Sequence, residues 1–415
     1  MSKKYNYEFI VIGSGPAGRT AAENLAKVKK SVCLVEAEAF GGAELNTRDL
    51  PYKLSLDFAH NYHNFTSSKA VNGEAHHFNL PTFTISRDNQ IENIKNLYEK
   101  NLKDLGVDII KGFAHFLDNH TIIVEDKEYT AANFILATGS KLKATGISGL
   151  DSINFSTPDT ALRTRRLPKF VFVIGGGSTG TEIAEYFATL GSGVIIMELG
   201  THLLPREDDD IAENVTKYFT EDLGITVISN AKVVAVTEDY TSKIVVFTSE
   251  GTEKMVRVES IILATGSTPS LDYGLENAGV EYKHSGIIVD KYFNTTAKNI
   301  YAIGDCIGGA ESSTERAVLE ANILTENLLH RGKTTPKYSD VPRKIQTYPE
   351  IVTIGFNERD ALARDISYKK SLTTLPEYPN SFVKTLTDRS GHIIGTTIVA
   401  PNATLALRLR KLLQK

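Results

Sequence analysis

The chain carries one device twice: an apolar strand, a glycine-rich turn, a helix, a second strand and an acidic residue. The first copy starts at Phe9-Ile-Val-Ile, turns through Gly13-Ser-Gly-Pro-Ala-Gly18 and continues as Arg19-Thr-Ala-Ala-Glu-Asn-Leu-Ala-Lys. Ser31-Val-Cys-Leu-Val follows and ends in Glu36. The second copy starts at Lys169-Phe-Val-Phe-Val-Ile, turns through Gly175-Gly-Gly-Ser-Thr-Gly180 and leads through a helix and Gly193-Val-Ile-Ile-Met to Glu198. In both copies the acid stands 23 residues after the first glycine. Strands this uniformly apolar belong in the middle of a parallel sheet covered on both faces. The order of parts predicts an α/β fold with two Rossmann-like dinucleotide-binding domains.

Each part has a physical task. Gly13 and Gly175 make tight turns, Gly15 and Gly177 let a pyrophosphate approach the backbone, and Gly18 and Gly180 let helix and strand pack closely. The helix N-termini offer unpaired N–H groups to the phosphates. Glu36 and Glu198 are placed to accept hydrogen bonds from a ribose diol. Leu199 and Gly200 follow Glu198, and no basic residue comes before Arg206, so the second site reads as NAD rather than NADP.

The remaining composition excludes several classes. At 415 residues the chain has room for two or three domains. Its formal charge of −4 lacks the basic excess of a nucleic-acid or anionic-membrane protein. No run approaches the roughly 18 apolar residues of a membrane span. The N-terminal Lys3-Lys4 precedes only a short apolar run, Phe9 to Ile12. A secretory leader needs about 7–15 such residues, so this reads as a buried strand of a cytoplasmic protein. Two cysteines, Cys33 and Cys306, cannot build a disulfide framework or a multi-cysteine metal site. No metal is expected.

Further segments accompany the glycine turns. Ala137-Thr-Gly-Ser140 and Ala264-Thr-Gly-Ser267 each end a strand, Thr295-Thr-Ala-Lys-Asn-Ile-Tyr-Ala-Ile-Gly-Asp305 reads as a second nucleotide motif, and Gly106-Val-Asp-Ile-Ile-Lys-Gly-Phe-Ala-His-Phe lies between. Together they resemble the pyridine nucleotide–disulfide oxidoreductase family of the glutathione reductase and lipoamide dehydrogenase type, collinearly from about residue 6 to about residue 402. The resemblance implies an FAD-binding domain over 1–147 completed by a return segment 271–335, an NAD-binding domain over 148–270, and a truncated α+β interface domain over 336–415. Charged linkers, Pro158 to Pro168 and Gly332 to Pro342, agree with two of these boundaries. The last segment reads as strands at Glu350-Ile-Val-Thr-Ile-Gly, Phe382-Val-Lys-Thr-Leu and His392-Ile-Ile-Gly-Thr-Thr-Ile-Val, with a turn at Asp388-Arg-Ser-Gly391.

The same resemblance assigns residues. FAD would be held by Gly13, Gly15, Gly18, Glu36, Gly41, Gly42, Lys53, Ala114, Thr138, Gly139, Asp305 and Ser313. NAD(H) would be held by Gly175, Gly177, Gly180, Glu182, Glu198, Val233 and Gly266. Ala114 would present backbone to the adenine, and Asp305 would bind the ribityl chain. Ser313 lies where a helix points its N-terminus at the flavin, and its hydroxyl suits an N-cap. Lys53 and Glu182 match the family's pair near flavin N5, where a cation stabilises developing negative charge.

Two departures matter. The family's redox disulfide lies in a stretch reading G-G-x-C-x-x-x-x-C-x-P-x-K, and here it is Gly41-Gly-Ala-Glu-Leu-Asn-Thr-Arg-Asp-Leu-Pro-Tyr-Lys53. Glu44 and Asp49 occupy the cysteine positions, where no dithiol–disulfide exchange is possible. Two ionised carboxylates there would favour a neutral or cationic acceptor. The family's C-terminal His-Glu segment, which handles protons across a homodimer, is also missing, since the chain ends at Leu407-Arg-Leu-Arg-Lys-Leu-Leu-Gln-Lys415. His392 reads as a solvated turn residue, Cys306 and Cys33 as small buried side chains, and Arg206-Glu-Asp-Asp-Asp210 as a solvated helix start.

The expectation is therefore an FAD-containing NADH oxidoreductase that passes electrons to a small-molecule acceptor other than a dithiol, such as a quinone. Its alternatives are hydride exchange between two nicotinamides, or a sensor or scaffold that binds both nucleotides without turnover. The family also implies a homodimer.

Overall fold

In the computed structural model the described residues are 5–67, 78–309, 312–330, 332–378 and 380–404. The C-terminal stretch 407–415, and residues 1–4 of the N-terminal run, lie outside them. The chain divides into two compact units, one formed by 1–51, 88–143 and 267–338, the other by 52–87, 144–266 and 339–415.

The first unit is built on a parallel sheet in the order Asp108–Lys111, Val32–Glu36, Tyr7–Ile12, Lys127–Leu136, with Ile300–Ala302 beyond. Phe9 to Ile12 are buried, with Val11 between Leu34 and Ile135, as expected of a strand covered on both faces. The helix Pro16–Lys27 starts with proline at its first turn, where the missing N–H breaks no helical bond. Its Ala17, Ala21, Ala22 and Leu25 form one stripe that packs with Val11, Leu34 and the Ala321 and Leu324 side of helix Thr314–His330. A meander of Ala114–Asp118, Thr121–Val124 and Lys127–Leu136 completes the unit.

The second unit repeats this plan. Thr226–Ile228, Gly193–Met197, Phe170–Ile174 and Ser260–Leu263 form a parallel sheet in that order. An antiparallel meander follows through Ala231–Glu238, Lys243–Ser249 and Thr252–Val258. The unit also holds a five-stranded antiparallel sheet, ordered Arg343–Ile345, Glu350–Gly355, Ile393–Ala400, Phe382–Thr387, Lys369–Thr374. Its three principal strands and the turn at 388–391 fall where the sequence places them, and Gly391 supplies the left-handed conformation of that turn (φ +84°). Among the described residues no helix is long and apolar enough to cross a membrane.

One sequence expectation fails here. The run 206–210 is not a solvated helix start: Glu207 and Asp208 are buried, and only Arg206 and Asp209 are exposed. The buried ammonium of Lys384 donates to Asp208 (2.6 Å), Asp210 and Glu358 (3.1 Å). A lysine on a strand 176 residues later draws alternate acids of the run inward. A buried carboxylate left unpaired costs far more than one with a partner, and Lys384 supplies that partner, so the pairing reverses the usual expectation for an acidic cluster.

Candidate functional site

The glycine turns owe their glycines to the strand ends beneath them. Gly13 has φ +104°, and a Cβ there would lie 2.2 Å from the Ala137 carbonyl oxygen. Gly175 repeats this at φ +108°, 2.4 Å from the Ala264 carbonyl oxygen. A Cβ on Gly18 would sit 1.9 Å from the Gly13 oxygen, and one on Gly180 would sit 1.9 Å from the Gly175 oxygen. The first and third glycines of each turn are therefore demanded by backbone packing. The middle ones face outward: Gly177 has nothing within 4 Å, and Gly15 looks toward the Cα of Gly42 at 3.9 Å. Neither following helix, Pro16–Lys27 or Ser178–Thr189, has a side-chain cap. Open backbone ahead of an uncapped helix N-terminus fits a phosphate in both units.

The two acids stand beside these turns. Glu36 accepts from the Ser14 N–H (2.8 Å) and hydroxyl through Oε2, and from the Glu38 N–H (2.9 Å) through Oε1. The Ser14 hydroxyl oxygen accepts in turn from the Gly41 N–H (2.8 Å), which ties Gly41 and Gly42 to the first turn. Glu198 accepts from the N–H groups of Gly176 and Gly200, each at 2.7 Å. Both carboxylates thus stand beside their glycine turns, each held by two backbone N–H groups.

Around the first turn the structure gathers most of the residues expected for FAD. Gly304 would touch Ala17 with a Cβ (3.2 Å), which brings the Gly304-Asp305 motif against the first helix. The Ser140 hydroxyl donates to Asp305 (2.9 Å), and Arg48 lies 3.7 Å from the same carboxylate oxygen. Thr138 donates to the Ser270 carbonyl (2.9 Å), and Gly139 has φ +69° with open space at its Cβ position. Ala114 is buried at the start of its strand. The Ser313 hydroxyl accepts from the Arg316 N–H (3.1 Å), as an N-cap does. In the second unit Val233 is buried at a bulge in its strand, and Gly266 has φ +90° beside open space.

The positions of the missing cysteines are occupied by bonded carboxylates. Glu44 accepts from Arg19 at 2.8 Å, and the side chains are only 16% and 11% exposed. The Arg19 guanidinium also lies over the Tyr98 ring, 4.2 Å from its centroid. Asp49, at the head of helix Asp49–Ser67, accepts a hydrogen bond from the Thr314 hydroxyl. The Arg19 ion pair offsets the charge of Glu44, which weakens the bias toward a neutral or cationic acceptor that two ionised carboxylates would give. Arginine follows the third glycine directly, a place the glycine pattern leaves unspecified, so only the folded chain shows the pair.

The Lys53–Glu182 pair is not made. Lys53 is exposed and donates to Asp57 (2.9 Å), one helical turn on and always within reach. Glu182 is buried and accepts from the Gln346 N–H (2.8 Å). A neighbouring buried carboxylate, Glu185, bonds His60 Nε2 (2.9 Å) and accepts from the Tyr348 N–H (2.9 Å). Sequence reasoning missed this cluster and a second one at Arg316, Glu320 and Tyr338, although the i,i+4 spacing of Arg316 and Glu320 was visible.

The thiols behave as expected. Cys33 and Cys306 are fully buried, and burial pushes their pKa values up to about 12 and about 11. A thiol so raised stays protonated and inert. His392 is largely exposed, 3.5 Å from Asp388 in its turn.

Comparisons with known proteins agree with this architecture. The profile described as "Pyridine nucleotide-disulphide oxidoreductase" matches residues 7–321. The mercuric reductase of Bacillus cereus is 29% identical over 413 residues, covering 96% of this chain. The chain spans 65% of that relative's length. The dihydrolipoyl dehydrogenase of Bacillus subtilis is 30% identical over 361 residues, covering 85% of this chain and 76% of that one. Among solved structures, the HOCl-induced flavoprotein disulfide reductase RclA from Escherichia coli superposes with a TM-score of 0.86 at 26% identity, covering 98% of this chain and 92% of that one.

Proposed function

The chain belongs to the pyridine nucleotide-disulphide oxidoreductase family, and from that premise we propose an FAD-dependent oxidoreductase that takes hydride from NADH and delivers electrons to a small-molecule acceptor other than a dithiol. The observation that carries this reading is the bonded state of the two cysteine positions, Glu44 with Arg19 and Asp49 with Thr314. A carboxylate held in this way has no redox chemistry to offer, and the chain's two thiols are buried and protonated.

FAD, when bound, supplies two-electron chemistry. The chain's own contribution is binding and orientation. The first glycine turn and Glu36 would take the adenosine pyrophosphate, and Asp305, aimed by Ser140, would take the ribityl chain. Gly41, Gly42, Ala114, Thr138, Gly139 and Ser313 complete the proposed FAD set. The second turn and Glu198, with Val233 and Gly266, would take NADH. The Glu198 carboxylate favours a 2′-hydroxyl and repels a 2′-phosphate. The assignment of 1–147 and 271–335 to FAD, 148–270 to NAD and 336–415 to an interface belongs to this proposal, as do a homodimer and a cytoplasmic location.

Lys53 and Glu182 remain the proposed catalytic residues of this reading, each acting without the direct pairing that the resemblance implies. Lys53→Ala is expected to slow anaerobic bleaching of the flavin band by NADH while FAD stays bound, and an unchanged rate removes the role. The whole reading is tested by reducing the yellow protein anaerobically with NADH and adding quinones, lipoamide and glutathione disulfide in turn. Rapid reoxidation by quinones is expected. Rapid turnover of either disulfide would overturn the proposal.

A further inference from the structure

Glu320, wholly buried on helix Thr314–His330, accepts three hydrogen bonds: from the Gly304 N–H (2.6 Å), from Arg316 Nε (2.8 Å) and from the Tyr338 hydroxyl (2.8 Å). Arg316, also buried, uses its Nη2 to donate to the Gly308 carbonyl (2.8 Å). One i,i+4 ion pair therefore holds both ends of the short turn that begins at Gly304 (φ +78°) and ends at Gly308 (φ +66°). Asp305 lies between these ends, with its carboxylate directed at Ser140.

Helix packing alone does not ask for this pair. Apolar side chains of similar volume would fill the place without desolvating two charges. What they could not do is satisfy a buried N–H and a carbonyl of the neighbouring turn at once. The guanidinium fork suits the task because it can bond a carboxylate and a carbonyl in one plane.

We infer that Glu320 and Arg316 are positioning residues for FAD, acting through the Gly304–Gly308 turn to set the carboxylate of Asp305. The inference rests on the reading of the first unit as the FAD site.

The double variant Arg316→Met/Glu320→Leu separates positioning from mere stability, because an apolar pair can restore stability but cannot hold the turn. FAD affinity is read by fluorescence titration of the FAD-free protein. Two-electron potential and visible circular dichroism are read on the loaded protein. The expected result is an FAD dissociation constant raised about tenfold or more and a changed flavin spectrum. Wild-type affinity and spectrum in a folded double variant overturn the inference. Arg316→Lys, which keeps the charge but loses the fork, is titrated alongside; it too is expected to weaken FAD, and wild-type affinity counts against the inference. Hydrogen exchange over 303–309 in the FAD-free proteins decides independently of any flavin. Faster exchange of the Gly304 amide is expected in the double variant, and unchanged protection overturns the inference. A wild-type protein that takes up no flavin would sink the FAD reading and leave the exchange result to judge the turn.

Discussion

The two glycine-turn units are nearly superimposable in logic and differ in what pins the chain after their acidic residues. Four parallel strands of each sheet share one order, their first glycines share a left-handed conformation, and each third glycine presses on the backbone oxygen of its own first glycine. Beyond Glu36 the chain is held by Arg19 on Glu44 and by Thr314 on Asp49. Beyond Glu198 it is held by Lys384 among Asp208, Asp210 and Glu358. The turn is a general solution to binding a dinucleotide, fixed by backbone packing. The pinning is particular, and in the first unit it occupies the place where the resemblance puts the redox disulfide.

The largest expected effect tests the second pin. Lys384→Met should lower stability by about 3–5 kcal/mol, the range for stripping one partner from a buried ion pair. Thermal unfolding would show it, and a loss below about 1 kcal/mol would mean the cage is solvated after all. Next come the shared glycines. Gly18→Ala and Gly180→Ala should each destabilise by about 1–3 kcal/mol through overpacking on a backbone oxygen. Their binding phenotypes should differ: Gly18→Ala loses FAD, whereas Gly180→Ala keeps FAD and loses NADH. If one variant lost both nucleotides at unchanged stability, the two-site division would fail.

The first pin should be weaker, because Arg19 and Glu44 keep some exposure. Arg19→Met is expected to lower stability by about 1–2 kcal/mol, and Arg19→Met/Glu44→Leu should recover much of that loss. A double variant no better than the single would break the ion-pair account. The smallest effect concerns the thiols. Their pKa values are raised on folding, so their contribution to stability is full below the ordinary thiol range and fades as pH rises through about 11 to 12. At neutral pH neither Cys33 nor Cys306 should react with a thiol reagent until the protein unfolds. Rapid labelling of the native protein would reopen a thiol mechanism.

Much of the scaffold was legible because its rules are local. The central strands, the glycine spacing and the acids at the second strand ends each follow from short-range constraints, and Phe9 to Ile12, Gly13 and Gly175 behave as those constraints require. The burial of the run 206–210 is not legible for the opposite reason, since its partner Lys384 is distant in the chain. The resemblance pairs Lys53 with Glu182, but Asp57 is the nearer partner along the helix.

By itself the sequence determined that this chain is an α/β protein with two Rossmann-like glycine turns, and that its two cysteines both lie away from the redox positions. Periodicity, turn chemistry and residue identity are enough for that, because backbone sterics and the properties of side chains act over a few residues. Only the tertiary structure decided what replaced the disulfide and what steadies Asp305. Glu44 meets Arg19 across 25 positions, and Glu320 holds Gly304 across 16. Such partners are chosen by where the folded backbone brings buried charges and amides within hydrogen-bond reach, and burial then makes an unmatched partner too expensive to keep.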